Sequence, residues 1–133
     1  MIWLIISHRE SFTNAAVQLL TEAGQEVILE DHTDIRHLFQ VAKKGRYKGT
    51  SIVVIDNDSI VRTMRGVIIH GLREALIKNL PKVRVYLCRS NWVSPDIVNL
   101  FRARSKKLGR ETCRVINSLD KKTIEMIVGA FDE

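Results

Sequence analysis

Two carboxylates stand one residue apart near the middle of the chain, at Asp56 and Asp58. They directly follow Ile52–Ile55, a run of four apolar, β-branched residues that is typical of a parallel strand buried on both faces. Ligands of open α/β sheets bind at the carboxyl ends of the strands. Asp56 and Asp58 are therefore the first candidates for a functional site. They could bind Mg²⁺ weakly, with Asp31 nearby, and no other cofactor is expected.

Five apolar runs alternate with five stretches of helical periodicity, so the sequence predicts five strands and five helices. The predicted strands are Ile2–Ile6, Val27–Leu29, 51–56, Val83–Leu87 and Thr112–Ile116. The second and fourth helices are predicted to begin at Thr33 and Ser94. Right-handed crossovers then favour a parallel sheet with helices on both faces. The predicted fold is a flavodoxin-like three-layer α/β sandwich with strand order 2-1-3-4-5.

Length and charge limit the possible functions. A chain of 133 residues with 45% hydrophobic content predicts a single domain over residues 1–133. The apolar start, Ile2–Ile6, is too short for a signal peptide or a membrane span, so we expect no membrane contact. Two cysteines without metal-ligand spacing favour reduced thiols and a cytoplasmic location. Residues 1–60 carry 6 basic and 8 acidic side chains (net −2), and residues 61–133 carry 15 and 7 (net +8).

Three segments together resemble the receiver domain of two-component response regulators. Residues 16–27 are similar to the first helix and second strand of that family. Residues 115–120, followed by Ile124, Val128 and Phe131, are similar to its closing strand, loop and helix. Ile52–Asp56 is similar to the apolar strand that ends in the phosphorylated aspartate. The resemblance implies a signalling or regulatory module in which Asp56 is the candidate phospho-acceptor.

Four positions depart from the receiver pattern. Receivers place an acidic pair after the first strand, where this chain has Ser7 and His8. They place Ser or Thr after the fourth strand and a Lys-Pro pair after the fifth, where this chain has Cys88 and Asn117. Without the acids and the lysine, phosphoryl transfer to a carboxylate lacks charge compensation. We therefore predict a degenerate receiver that is not switched by ordinary aspartyl phosphorylation. Its altered pocket comprises Ser7, His8, Asp56, Asp58, Cys88 and Asn117.

A basic face is the predicted partner site. In receivers, the face built from the fourth helix, fifth strand and fifth helix carries dimerisation and partner contacts. Here the predicted fourth helix carries Arg102, Arg104, Lys106, Lys107 and Arg110. Trp92, in the polar loop before it, could anchor a partner or pack over the sheet edge. A protein partner, a second copy of the chain or a nucleic acid backbone would each complement this charge.

Two further families offer alternative interpretations. Toprim-like nucleic acid enzymes use an Asp-x-Asp pair at this strand end, similar to Asp56 and Asp58, with a glutamate after the first strand, where only Glu10 is available. Mannose-type IIA domains of the sugar phosphotransferase system carry a phosphorylated histidine after the first strand. In that interpretation His8 is the nucleophile and Asp56 orients its ring.

Overall fold

The computed structural model describes residues 1–31, 37, 40, 43–59, 65–80, 82–89, 99–100, 102–103, 106–107 and 113–131. Five strands are present: β1 (Ile2–Ile6), β2 (Glu26–Glu30), β3 (Thr50–Asp56), β4 (Arg84–Cys88) and β5 (Cys113–Ile116). The helices with defined bounds are α1 (Glu10–Glu22), α2 (Arg65–Asn79) and α3 (Lys121–Phe131), and a 3-10 turn spans Asn57–Ser59. None of the described helices is long and apolar enough to span a bilayer.

The sheet confirms the predicted strand order. Its strands lie in the order β2-β1-β3-β4-β5, and every neighbouring pair is parallel. Three of the five predicted helices have defined bounds. The other two, predicted to begin at Thr33 and Ser94, lie mainly outside the described residues, although residues 37, 40 and 43 and residues 99–100, 102–103 and 106–107 are helical. Trp92, Arg104 and Arg110 also lie outside the described part of the chain.

Alternation along the strands separates the core into two layers. On one face, Leu4, Val53 and Val85 pack with Leu76 of α2. On the opposite face, Trp3, Val54 and Tyr86 pack with side chains of α1 and α3, including Leu20 and Ile124. The near-continuous apolar runs of β1 and β3 are explained by this double coverage, because both faces of these strands are buried.

The parallel arrangement gathers the carboxyl ends of all five strands at one edge of the sheet. Ile6 pairs with Ile55, and Cys88 pairs with both Asp56 and Ile116. The residues that follow or end these strands are consequently neighbours, although up to 110 positions separate Ser7 from Asn117 in the sequence. We call this side of the sheet the carboxyl edge.

Helix α1 ends in a Schellman motif at Gly24. The Gly24 amide donates to the carbonyl of Thr21 over 3.0 Å, and the Gln25 amide donates to that of Leu20 over 2.9 Å. Gly24 has φ +75°, a left-handed conformation that side chains with a Cβ disfavour. The motif turns the chain directly into β2.

Replacing this glycine should therefore destabilise the protein. We expect Gly24→Ala to lower the free energy of unfolding by about 1–2 kcal/mol, since alanine is strained at positive φ. Gly129 is the matched control because it lies inside α3 with no atom within 4 Å of an added Cβ. Gly129→Ala should raise stability by about 0.5–1 kcal/mol through helix propensity. Urea unfolding measures both, and equal effects of the two substitutions would contradict the role of the turn.

Candidate functional site

Asp56, the last residue of β3, lies at the centre of the carboxyl edge with its side chain fully buried. Its Oδ2 accepts hydrogen bonds from Ser7 Oγ (2.7 Å), Arg9 Nε (2.7 Å) and Ser59 Oγ (2.9 Å). Its Oδ1 accepts from Arg9 Nη2 (2.8 Å) and from the Asp58 amide (3.2 Å). An ionised carboxylate has about four lone-pair directions. The acceptor capacity of Asp56 is therefore filled by the protein itself.

Arg9 is a residue of this site that was not predicted from the sequence. It is the N-terminal cap residue of α1. Its guanidinium forms a bidentate ion pair with the Asp56 carboxylate. The Arg9 side chain is 33% exposed while the Asp56 carboxylate is 0% exposed. Water can therefore reach the arginine but not the carboxylate. The guanidinium also lies 5.5 Å from the centroid of the Phe12 ring. One available signal was a cation three residues after β1, at the edge where β3 ends in an acid.

Two serine hydroxyls complete the surroundings of Asp56. Ser7 Oγ and Ser59 Oγ lie 3.0 Å apart, and each lies within hydrogen-bond distance of Asp56 Oδ2. The amide of Arg9 donates to Ser7 Oγ, and the amide of His8 donates to Ser59 Oγ. These bonds tie the loop after β1 to the 3-10 turn after β3. Ser59 was not among the predicted site residues.

The hydrogen bonds keep Asp56 ionised. Burial by itself would raise its pKa, but the hydrogen bonds from Arg9, Ser7 and Ser59 outweigh that effect and hold the pKa of Asp56 below its ordinary value. The bond to Asp56 likewise raises the pKa of Arg9, despite the opposing effect of partial burial. Both members of the pair are thus charged over the whole physiological pH range.

The remaining predicted pocket residues are distributed unevenly around this pair. Asp58 has a carboxylate oxygen 3.8 Å from Arg9 Nη1 and is mostly buried. Cys88 is buried, and burial, with Asp56 nearby, raises the pKa of its thiol to about 11. Asn117 is exposed and accepts a hydrogen bond from Arg89 Nε. The His8 side chain is exposed and makes no described contact with Asp56.

The candidate metal ligands do not form a cluster in the part of the chain that the structure describes. No group of three or more His, Cys, Asp or Glu side chains is placed there to hold a metal ion. Asp31 is exposed directly after β2, and Glu10 is exposed at the first turn of α1. The oxygens of Asp56 face N–H and O–H donors instead of open space. This donor shell does not fit a Mg²⁺ ion at Asp56.

A second polar cluster supports the same edge at the end of β2. The buried Glu30 carboxylate accepts a hydrogen bond from Tyr47 Oη over 2.7 Å, and Arg46 Nη1 lies 3.5 Å away. Burial, followed by the bond to Glu30, raises the pKa of Tyr47, so its hydroxyl stays protonated as a donor. The backbone carbonyl of Glu30 accepts from the Ser7 amide over 3.0 Å. Through this bond, β2 helps to position Ser7 beside Asp56.

On the predicted partner face, the described side chains are accessible. Arg102, Lys106 and Lys107 are exposed and belong to a helical stretch. Together they place three cations on the surface before β5.

Solved structures with the same fold are mainly response-regulator receiver domains. A CheY-like receiver domain protein from Methanospirillum hungatei has a TM-score of 0.66 at 14% identity, covering 98% of this chain and 93% of that one. A response regulator from Thermotoga maritima has a TM-score of 0.66 at 14% identity, with 99% and 98% covered. A pilus assembly-related protein from Burkholderia pseudomallei also has a TM-score of 0.66, at 16% identity, with 98% and 87% covered.

These similarities confirm the receiver-like resemblance at the level of the fold. Identities of 14–16% carry no information about which side chains act, so the site must be interpreted from its own geometry. No protein-family model matches the sequence, and no curated protein matches it either.

The ion pair predicts an asymmetric response to mutation. Arg9→Gln leaves a buried charge without its main partner and should lower the free energy of unfolding by about 3 kcal/mol. Asp56→Asn leaves the cation of Arg9 without its partner, but water can reach this cation. This substitution should therefore lower the free energy of unfolding by only about 1–2 kcal/mol. Chemical denaturation at neutral pH measures both. A smaller loss for Arg9→Gln than for Asp56→Asn would contradict the assignment of Asp56 as the buried charge.

The same pair predicts a change in the pH dependence of stability. In the wild type the pKa of Asp56 is lowered by folding, so its contribution is complete at neutral pH and is lost only as pH falls below about 4. In Arg9→Gln, burial is expected to raise the pKa of Asp56, so acidification from about pH 7 to pH 5 should stabilise this variant. The double variant Arg9→Gln with Asp56→Asn is the control. The double variant should not be stabilised by acidification. If it is, the group that titrates is not Asp56.

Proposed function

We propose that this chain is an atypical receiver-like regulatory module that is not switched by Mg²⁺-dependent phosphorylation of Asp56. The observation that carries the proposal is the bidentate ion pair between Arg9 and Asp56. The receiver fold supports the regulatory class, and the ion pair supports its atypical behaviour.

Aspartyl phosphorylation requires a carboxylate oxygen that is free to attack phosphorus. It also requires a cation that offsets the charge of the incoming phosphoryl group. Both oxygens of Asp56 are turned toward donors of the protein, and the carboxylate is fully buried. An attacking oxygen would have to leave charge-assisted hydrogen bonds, which are about twice as strong as neutral ones. The protein thus replaces the exchangeable metal of a receiver with a fixed guanidinium.

A permanently paired aspartate changes what this edge of the domain can signal. In a switchable site, the charge at the aspartate changes on phosphorylation and the surrounding loops respond. Here the fixed pair links the loop after β1 to the 3-10 turn after β3 through Ser7 and Ser59. The conformation of this edge is therefore set by the ion pair and not by phosphorylation of Asp56.

The exposed cations before β5 are the surface that we propose for partner binding. Arg102, Lys106 and Lys107 are exposed. The chain as a whole carries a net charge of +6. We favour an acidic protein surface as the complement, consistent with a module that acts by contact inside the cytoplasm. Nucleic acid remains the alternative outcome of the experiment below.

The two enzymatic interpretations have less support. Both need the oxygens of Asp56 to act on something other than Arg9, either a metal ion or the ring of His8. Among the described contacts, Asp56 is bonded to Arg9, Ser7, Ser59 and the Asp58 amide.

Phosphorylation can be tested directly with Mg²⁺ and acetyl phosphate. We expect the wild type to show no stoichiometric mass increase, because the Asp56 oxygens are occupied. Asp56→Asn is the control for labelling at any other residue. Stoichiometric labelling of the wild type that disappears in Asp56→Asn would refute the proposal. Intact-protein mass spectrometry of the acid-quenched sample provides the measurement.

The basic face can be tested with two anionic probes. A fluorescent polyglutamate peptide should bind the wild type, and charge reversal at Lys106 and Lys107 should weaken this binding by about tenfold. Lys82→Glu is the control, because Lys82 is an exposed cation before β4, on the opposite edge of the sheet. Fluorescence anisotropy compares the peptide with a random-sequence DNA duplex. Tighter binding of the duplex at moderate salt would assign the face to nucleic acid and contradict the protein-partner proposal.

A further inference from the structure

A small cavity opens at the carboxyl edge beside the Arg9–Asp56 pair. Its volume is about 180 Å³, and it lies between α1 and the ends of β4 and β5. Cavities that hold drug-sized ligands are usually about 300–1,000 Å³. The cavity can therefore accept only a small molecule or a single chemical group.

The polar groups around this cavity are hydrogen-bond donors. Arg9 uses Nε and Nη2 for Asp56, which leaves the N–H groups of Nη1 without a hydrogen bond among the described contacts. Arg89 directs its Nε to Asn117 Oδ1 over 2.9 Å, and its two terminal nitrogens have no hydrogen bond within the part of the chain that the structure describes. The same bond uses the Asn117 oxygen as the acceptor and leaves the amide NH₂ as a further donor. The residues Arg9, Arg89 and Asn117 thus line one small space.

Among the described contacts, the nearby acids compensate the charge of Arg9 but not that of Arg89. No Asp or Glu lines the cavity within the described part of the chain. Asp56 is buried behind Arg9, and Asp58 approaches Arg9 Nη1 to 3.8 Å. Asp120 accepts hydrogen bonds from Ser118 and from the amide of Thr123, where it caps α3. The buried thiol of Cys88 also lines the cavity and stays protonated, so it adds no negative charge.

The other walls of the cavity are apolar. They include the ring of Phe12 and the side chains of Ala16 and Leu119. An inorganic anion would contact only the hydrogen-bond donors and would leave the apolar side chains exposed to water. An anion with a compact apolar body would satisfy both sides, because burying apolar surface is favourable and charge-assisted hydrogen bonds orient the anionic group.

We propose that this cavity binds a small organic anion whose carboxylate is held mainly by Arg89, with Nη1 of Arg9 as a second donor shared with Asp58, and whose apolar body packs on Phe12 and Leu119. Because Arg9 also holds Asp56, the bound anion would contact the residue that fixes the carboxyl edge. The ligand thus supplies a non-covalent input at the place where receivers use phosphorylation. This inference rests on the proposed function, since it assumes that Arg9 remains paired with Asp56.

Benzoate is a suitable probe because it joins a carboxylate to one aromatic ring. Benzamide is its uncharged counterpart, and inorganic phosphate is an anion without an apolar body. We expect saturable binding of benzoate in the millimolar range or tighter, with much weaker binding of the other two. Two-dimensional NMR titrations of the full chain, read at the amide of Leu119 and at the Nε–H of Arg9, give the affinity and the location together.

Three variants test the assignment of the donors. Arg89→Gln should weaken benzoate binding by about tenfold, because it removes a charge-assisted donor pair. Arg89→Lys should retain part of the binding, since it keeps the charge but loses the planar fork. Lys48→Gln removes an exposed cation before β3, on the opposite edge of the sheet, and should leave benzoate binding unchanged.

The two experiments distinguish failure of the organic-anion site from failure of the proposed function. Absence of saturable benzoate binding, equal binding of benzamide, tighter binding of phosphate, or equal losses in Arg89→Gln and Lys48→Gln would each overturn the organic-anion site. The acetyl phosphate experiment is read on the same preparations. If neither labelling nor benzoate binding is seen, only the organic-anion site is refuted. Labelling of Asp56 would refute the proposed function.

Discussion

The ion pair between Arg9 and Asp56 is the interaction on which the carboxyl edge depends. A carboxylate that is fully removed from water is unstable unless other groups compensate its charge. Arg9 supplies that compensation from the water-accessible side, and the hydroxyls of Ser7 and Ser59 supply it from the protein side. The ion pair therefore stabilises a charged carboxylate inside the protein.

The parallel sheet makes this concentration of polar groups possible. All five strands end at the same edge, so loops from distant parts of the chain converge there. The Asp56 pair, the Glu30–Tyr47 cluster at the end of β2 and the cavity near Arg89 are three polar features of that edge. Arg9 belongs to two of them, because its Nε and Nη2 face Asp56 while its side chain also lines the cavity.

This arrangement suggests how a receiver fold can serve regulation without phosphate chemistry. A receiver needs a nucleophile, a metal and a cation that reads the product. The proposed module keeps the aspartate but fixes it with an arginine, so its inputs come from molecules that bind. We propose the small cavity and the basic surface before β5 as two such places.

The strands and the placement of Asp56 at the end of β3 could be predicted from the sequence, because hydrophobic periodicity is a local property. The strand order followed from the resemblance to known folds, because right-handed crossovers alone allow more than one order. The sequence also showed that Cys88 and Asn117 replace the residues that receivers use. Only the tertiary structure identified the partner of Asp56. Arg9 lies 47 positions away in the chain, and a guanidinium can reach many neighbours, so periodicity cannot assign its contact. The register that aligns Ile6 with Ile55 brings β1 and β3 to a common end, and only this pairing places the arginine on the carboxylate.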